Sequence, residues 1–130
     1  MIDGDTIEIH GQRIRLHGID SPEGRQTCEI NGKAWRCGTD AANALDRLIA
    51  RSPVTCTQRD IDRYGRIVAT CTVRGIDMND WMVRRGWALA YRQYSRAYDR
   101  AEAEARSERR GIWSSIFQMP WDWRRENRRP

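Results

Sequence analysis

The sequence predicts a single α+β domain, and three observations lead to that class. Apolar and polar residues alternate, as in half-buried strands, at residues 5–9, 13–17, 54–59 and 66–73. Other segments carry apolar residues at helical spacing and end at Gly or Pro. The length of 130 residues suffices for one hydrophobic core and is too short for two.

The first two strands are predicted to form a hairpin. Ile7 and Ile9 alternate with polar neighbours, the second strand shows the same pattern, and residues 10–12 make the turn. The following segment, residues 18–26, has no periodicity and contains Pro22, so it is predicted to be a loop.

A helix is predicted over residues 39–51, with Thr39 as its N-cap and Pro53 just beyond its end. The strands at about 54–59 and 66–73 follow and are joined by a tight polar turn. These two strands form a second antiparallel pair.

The last third of the chain is predicted to be mainly helical. A short helix spans residues 78–85, with Asp77 near its N-terminus, and residues 87–91 form a short strand. Ser95 caps a longer helix that ends at Gly111.

Five short strands with helices beside them permit, without requiring, a five-stranded OB-fold β-barrel with about three flanking α-helices. Residues 1–118 are expected to form this domain. Residues 119–130 contain two tryptophans and four arginines, and we expect a partly ordered Trp/Arg-rich C-terminal tail.

The composition excludes a membrane protein and favours an anionic partner. No apolar run approaches the roughly 20 residues that cross a bilayer. No signal peptide precedes the first strand, so we expect a mature or trimmed chain. The net charge is +5, and all basic side chains except Lys33 are arginine, which binds phosphate oxygens bidentately. A high-GC genome would also enrich arginine.

Four cysteines, Cys28, Cys37, Cys56 and Cys71, are best paired as Cys28–Cys37 and Cys56–Cys71. The first two bracket a polar loop, and the other two lie in strands folded about one turn. Such disulfides indicate an oxidising compartment, periplasmic or extracellular. A zinc site is less favoured because neither pair has the short spacing of zinc ligands. Four free thiols are the other alternative.

Acidic residues near the N-terminus point to a metal site. The predicted hairpin brings Asp5 close to Asp20 and Glu23, and converging carboxylates repel one another unless a cation such as Ca²⁺ or Mg²⁺ lies between them. Together with Arg15 and Arg66, such a site suits phosphodiester cleavage, in which charge develops on phosphate oxygens. The alternative is two ordinary salt bridges, Asp5–Arg15 and Asp20–Arg66.

The strings IDGDT, RLHGIDSPE, DRYGR and GIWSS, in this order, resemble the staphylococcal nuclease family. The resemblance implies an OB barrel with three helices that uses calcium to hydrolyse DNA and RNA, preferably single-stranded, and leaves 3′-phosphate ends. We also expect a monomer. The main rival is a noncatalytic nucleic-acid-binding module of the same fold, although such modules have generally lost the acidic and arginine positions. A disulfide-stapled structural domain leaves the acidic cluster unexplained.

The resemblance also implies roles for individual residues. Asp5 and Asp20 are the expected calcium carboxylates, with the backbone carbonyl of Ser21 as a third ligand. The family more often has Thr or Ala at the position of Ser21, which matters little for a main-chain contact. Glu23 matches the glutamate that orients or deprotonates the attacking water.

Basic and aromatic residues are expected to bind the nucleic acid. Arg15 and Arg66 match the two arginines that hold the scissile phosphate. Arg63, Tyr64 and Tyr91 resemble positions that contact the terminal phosphate of the nucleotide, where aromatic rings also suit base or sugar packing.

Overall fold

The structure, a computed structural model, describes residues 3–127 and is of the α+β class. Within these residues, the strands are β1 (Thr6–Ile9), β2 (Gln12–Leu16), β3 (Ile19–Asp20), β4 (Cys28–Ile30), β5 (Lys33–Trp35), β6 (Val54–Ile61), β7 (Ile67–Val73), β8 (Ile76–Asp77) and β9 (Leu89–Ala90). The helices are α1 (Cys37–Ile49), α2 (Met78–Arg84), α3 (Asp99–Ser107) and α4 (Pro120–Glu126), with a 3₁₀ helix at Gly111–Ser114. Every one of these helices is too short or too polar to cross a bilayer.

The main sheet has five strands in the order β1-β2-β7-β6, with β8 beside the end of β7. The β1–β2 and β6–β7 pairs are antiparallel hairpins, and β2 runs parallel to β7. Strands β3 and β9 form a separate pair, as do β4 and β5. No ladder joins β1 to β6 within residues 3–127, so closure of the expected barrel is not seen there.

The β1–β2 hairpin follows its sequence pattern closely. His10 and Gly11 both have positive φ, 51° and 79°, which is the backbone geometry of a tight hairpin turn. Ile7 and Ile14 lie directly opposite each other and are buried, whereas Glu8 is exposed. The alternation therefore fixes which face of the hairpin meets the core.

The start of α1 differs from the prediction. The helix begins at Cys37, two residues earlier than expected, and Arg36 at the N-cap position makes no side-chain cap. Thr39 lies inside the first turn and donates a hydrogen bond from Oγ1 to the carbonyl oxygen of Gly24, at 3.3 Å. The helix start is held instead by a disulfide at Cys37 and by the Gly38 amide, which donates to the carbonyl of Gln26.

The helix predicted from Ser95 to Gly111 is shorter at both ends. Ser95 belongs to a turn in which its Oγ accepts from the Ala97 amide, and α3 begins only at Asp99. After Ser107, Arg109 and Gly111 have positive φ, which no α-helix can continue through. By contrast, Asp77 does cap α2, because its side chain accepts from the Asp80 amide.

The core lies between the main sheet and helices α1, α2 and α3. Its largest fully buried members are apolar and come from both layers: Leu16, Ile19, Val73, Met78, Met82 and Val83. A second apolar cluster consists of Cys28, Cys37, Leu89 and Ile112. Aromatic residues just before α4 and in its first turn pack against this cluster. The C-terminal segment is thereby joined to the domain.

Part of the expected partly ordered tail is a helix. Pro120 occupies the first helical position, where its fixed φ suits the helix and its missing N–H costs nothing. Asp122 lies in the first turn and Arg124 and Arg125 in the last, an arrangement that the helix dipole favours. Residues 128–130 of the predicted tail lie outside the described residues.

Candidate functional site

A cleft of about 650 Å³ lies where the β1–β2 hairpin, the β6–β7 turn and the segment after β9 meet. Seven of the residues predicted to form the site line it: Asp5, Arg15, Glu23, Arg63, Tyr64, Arg66 and Tyr91. Asp20 and Ser21 are fully buried, and Asp20 forms ion pairs with two residues that line the cleft, Arg15 and Arg124. The structure therefore brings the nine residues to one region.

Asp5 connects the start of β1 to the loop after β3. Its Oδ2 accepts a hydrogen bond from the Ser21 amide at 2.9 Å and lies 3.0 Å from Nη1 of Arg15. Its Oδ1 accepts from the Thr6 hydroxyl at 3.1 Å. These bonds compensate the burial of the carboxylate and fix its orientation.

Arg15 stands between two buried carboxylates. Besides the contact with Asp5, its Nη2 lies 3.7 Å from Oδ1 of Asp20 and donates to the carbonyl of Ile19 at 3.2 Å. Burial lowers the pKa of Arg15, but the charges of Asp5 and Asp20 outweigh it and raise the pKa above its usual value. The guanidinium is therefore permanently charged in a fixed position.

Asp20 has a second partner, Arg124 of α4, 104 residues away along the chain. Nη2 of Arg124 donates to Oδ2 of Asp20 at 2.7 Å, and Nη1 donates to Oδ1 at 2.9 Å. Nη1 also donates to Oε1 of Glu23 at 2.9 Å. One guanidinium thus joins two residues that were predicted to serve the cation and the attacking water.

Negative charge accumulates on this side of the cleft. Burial raises the pKa of Asp20 to about 6, although the hydrogen bonds and charge of Arg124 act in the opposite direction. Burial also raises the pKa of Asp3 to about 7, assisted by the charges of Asp5 and Glu23. Asp3 is held by the Gly24 amide, which donates to its Oδ1 at 2.8 Å.

The donor chemistry fits a hard divalent cation. Four carboxyl groups, those of Asp3, Asp5, Asp20 and Glu23, lie near two guanidinium groups, so negative charge is in excess there. Oxygen donors of this kind are the ones that Ca²⁺ prefers. Within residues 3–127, no group of three or more acidic, histidine or cysteine side chains lies close enough together to hold a metal ion. Guanidinium groups stand between the carboxylates instead.

The loop that carries Glu23 packs against the start of α1. The Gln26 amide donates to the Glu23 carbonyl at 2.8 Å, and the side-chain oxygen of Gln26 accepts from the Glu23 amide at 3.2 Å. A Cβ on Gly38 would lie 1.7 Å from the Glu23 carbonyl oxygen. Only glycine permits this approach, so the helix start sets the position of the Glu23 backbone.

The turn between β6 and β7, which also lines the cleft, presents Arg66. Its Nε lies 2.7 Å from Oδ2 of Asp62, so the sequence-based alternative of an Asp20–Arg66 salt bridge is wrong. Arg63 and Arg66 both lie over the ring of Tyr64, at 5.1 and 5.7 Å from its centre. The Asp5–Arg15 salt bridge of the same alternative does form.

Tyr91 and Tyr94 line the cleft, and Tyr91 also contacts α4 outside it. Tyr91 stacks on Trp121 of α4, with ring centres 5.2 Å apart and planes inclined by 18°. Tyr94 meets the Tyr91 ring edge-on, with centres 4.9 Å apart. Burial raises the pKa of Tyr91, and the charge of Asp20 raises it further, so its hydroxyl stays protonated.

Two disulfides join Cys28 to Cys37 and Cys56 to Cys71, the two pairs that the sequence favours, and none of the four cysteines is free. The first fastens β4 to the first residue of α1. The second links directly opposed residues of β6 and β7. Disulfides are typical of proteins in oxidising compartments.

Five residues at the site were not assigned from the sequence: Asp3, Asp62, Tyr94, Trp121 and Arg124. Asp3 and Asp62 each lie within or beside a motif string, so their proximity to Asp5 and Arg66 could have been inferred. Trp121 and Arg124 are three positions apart, the spacing of one helix face. Nothing local indicates which surface that face meets.

Comparison with known proteins gives a family match and close relatives. The model of the family described as staphylococcal nuclease homologue matches residues 13–115. The chain is 36% identical over 146 residues to the micrococcal nuclease of Shigella flexneri, covering 98% of this chain and 79% of that one. It is 36% identical over 132 residues to an uncharacterized endonuclease of Escherichia coli, covering 95% and 80%.

A further relative has a different description. The chain is 41% identical over 117 residues to the succinoglycan biosynthesis protein ExoI of Rhizobium meliloti (strain 1021), covering 87% of this chain. The matching part spans 61% of the length of that relative. Helix α4 lies beyond residue 115, where the match to the family model ends.

Proposed function

The chain belongs to the staphylococcal nuclease homologue family, and we propose that it is a calcium-dependent nuclease. It hydrolyses phosphodiester bonds of DNA and RNA and leaves 3′-phosphate ends. The observation that carries the proposal is the pair of buried carboxylates, Asp5 and Asp20, bridged by Arg15 in a cleft that Glu23 and Arg66 also line. Carboxylates facing arginines are the groups that phosphodiester hydrolysis requires.

Asp5, Asp20 and the backbone carbonyl of Ser21 would hold the Ca²⁺. When bound, the cation supplies positive charge that stabilises the negative charge developing on a phosphate oxygen. The two aspartates are suited to this role because their carboxylates are buried and oriented by hydrogen bonds from the Ser21 amide and from Arg124.

Arg15 on β2 and Arg66, just before the neighbouring strand β7, bind the scissile phosphate. Each is oriented by an aspartate, Arg15 by Asp5 and Arg66 by Asp62. Of the three side-chain nitrogens of Arg66, only Nε donates to Asp62. The two terminal nitrogens make no hydrogen bond within residues 3–127. A phosphate can therefore accept two parallel hydrogen bonds from that guanidinium.

Glu23 either orients or deprotonates the attacking water. The water oxygen bonds to phosphorus, the bond from phosphorus to the 5′ oxygen breaks, and the 5′ oxygen takes up a proton. The Glu23 carboxylate is partly exposed at the cleft, so water can reach it. A carboxylate in such a position contributes by accepting a proton or by fixing the line of attack.

Arg63, Tyr64 and Tyr91 bind the nucleotide beside the scissile bond. Arg63 lies over the Tyr64 ring, so a charged and an aromatic group are presented together. Aromatic rings stack on bases of any sequence, and unstacked bases occur in single strands, which accounts for a single-strand preference without sequence specificity.

The proposal extends to architecture and compartment. The five-stranded sheet corresponds to the strands of an OB barrel, with residues 1–118 as the nuclease domain and residues 119–130 as an appended C-terminal segment. The two disulfides favour a periplasmic or secreted protein. We further propose that it acts as a monomer.

Replacement of Glu23 tests the catalytic assignment. Glu23→Gln should lower kcat at least about 100-fold, because a neutral amide cannot accept the proton. Binding of single-stranded DNA should change little. The matched control is Glu108→Gln, at an exposed position at the end of α3. Wild-type turnover by Glu23→Gln would refute the assignment.

A further inference from the structure

Helix α4 places two side chains on the proposed catalytic site. Arg124 binds Asp20 and Glu23, and Trp121 stacks on Tyr91. The helix lies beyond residues 13–115, the segment that matches the family model. The residues that α4 contacts, Asp20, Glu23 and Tyr91, are ones to which the proposed function assigns roles in the reaction.

Arg124 occupies the oxygen atoms that a cation would use. Its two terminal nitrogens bind both carboxylate oxygens of Asp20, at 2.7 and 2.9 Å, and one oxygen of Glu23, at 2.9 Å. Asp20 is completely buried, so no face of its carboxylate remains free for solvent. A guanidinium and a hard cation satisfy the same oxygens by the same attraction, and both cannot bind them at once.

Trp121 occupies the face on which a base would stack. Its ring lies nearly parallel to that of Tyr91, inclined by 18° with centres 5.2 Å apart. An offset parallel stack is also how a nucleobase rests on an aromatic side chain. The indole therefore covers one face of the Tyr91 ring and makes that face unavailable to a base.

The two contacts are mechanically linked. Trp121 and Arg124 are one turn apart on the same helix face. The helix has only seven residues, too few to be stable without tertiary contacts. Its position therefore depends on contacts such as these, and a ligand that displaces one of the two side chains weakens the hold of the other.

We propose that α4 is an internal competitor of the active site. Arg124 and the divalent cation exclude each other at Asp20 and Glu23, while Trp121 and a nucleobase exclude each other at Tyr91. The inference rests on the proposed function, because it takes Asp20 as a cation ligand and Tyr91 as a base contact. Cation binding then releases α4 and opens the nucleotide site in the same step.

Calorimetric titration of the full chain with Ca²⁺, without nucleic acid, tests the competition. The apparent affinity equals the intrinsic affinity multiplied by the fraction of molecules in which α4 is undocked. Arg124→Gln should therefore bind Ca²⁺ about tenfold more tightly than the wild type. Arg125→Gln, which removes the same charge from the same helix but pairs with Asp122, should change the affinity less than about twofold.

Trp121→Ala separates competition from simple charge removal. The substitution changes no charge and does not touch the carboxylates, yet it loosens α4, so Ca²⁺ should bind about threefold more tightly. In the wild type, amide hydrogen exchange within residues 121–126 should become faster when Ca²⁺ is added. This second measurement does not depend on how well a variant folds.

The outcomes separate this inference from the function on which it rests. Measurable Ca²⁺ binding with equal affinity in the wild type, Arg124→Gln and Trp121→Ala would overturn the competition and leave the cation site intact. Weaker binding by Arg124→Gln, or unchanged exchange in α4, would overturn it as well. No Ca²⁺ binding by any of the proteins would remove both the cation site and the competition.

Discussion

Asp62 and Arg66 form an ion pair that both shapes a turn and aims an arginine. Nε of Arg66 lies 2.7 Å from Oδ2 of Asp62, while Oδ1 accepts from the backbone amides of Tyr64 and Arg66, each at 2.9 Å. Burial acts to raise the pKa of Asp62, but these hydrogen bonds and the charge of Arg66 lower it below its usual value. The pair is thus charged at neutral pH.

Asp62→Asn should reduce kcat/KM about tenfold, since the amide retains an oxygen for the turn but no longer holds the guanidinium. The thermal midpoint should change little. Asp80→Asn is the matched control, because Asp80 binds Nε of Arg84, also four residues further along the chain, at 2.9 Å and away from the cleft. Steady-state kinetics compare the two variants, and equal losses would contradict the positioning role of Asp62.

Gly38→Ala should displace the backbone that carries Glu23. The added Cβ would lie 1.7 Å from the Glu23 carbonyl oxygen, a main-chain atom that cannot swing aside. We expect a loss of about 2 kcal/mol in the free energy of unfolding and a clear drop in kcat. Urea unfolding and kinetics measure the two effects.

Gly11→Ala is the control for the general cost of losing a glycine. Gly11, unlike Gly38, has a positive φ, 79°, and a Cβ there meets nothing within 4 Å. It should lose about 1 kcal/mol of stability from backbone strain and keep its kcat. Unchanged kcat in Gly38→Ala would show that the start of α1 does not set the position of Glu23.

The two disulfides should contribute equally to stability and unequally to activity. They close loops with sequence separations of 9 and 15 residues, which corresponds to about 3 kcal/mol each. Double alanine variants of either pair should unfold at lower urea concentration by similar amounts. Only loss of Cys28–Cys37, which anchors the helix start beside Glu23, should also lower kcat. Equal kcat in the two double variants, assayed where both are folded, would contradict this distinction.

Local patterns predicted the parts of the fold that depend on neighbours in sequence. The alternation at Ile7 and Ile9 and the turn at His10-Gly11 suffice for the hairpin, because pairing and turn lie within a few residues. Ser95 has the composition of a helix cap, yet its hydroxyl serves a turn, and backbone geometry beyond Ser107 ends the helix early. Residues such as Ser form side-chain hydrogen bonds to the backbone both in helix caps and in turns, so composition alone does not distinguish a cap from a turn.

Long-range contacts could not be read from the sequence. From the motif strings, Asp5, Arg15 and Arg66 are predicted to lie at one site, and in the structure all three line one cleft. Arg124 meets Asp20 across 104 residues, from a helix of seven residues that is too short to give a periodic signal. Its partner is determined by packing of the C-terminal segment on the second apolar cluster.

The most direct test of the account is digestion of a single-stranded DNA and of an RNA, each with Ca²⁺ and with chelator. We predict cleavage of both substrates that stops with chelator, returns when Ca²⁺ is restored, and yields 3′-phosphate ends. Failure to cleave either substrate in Ca²⁺, while nucleic acid still binds, would contradict the account and identify a noncatalytic nucleic-acid-binding module.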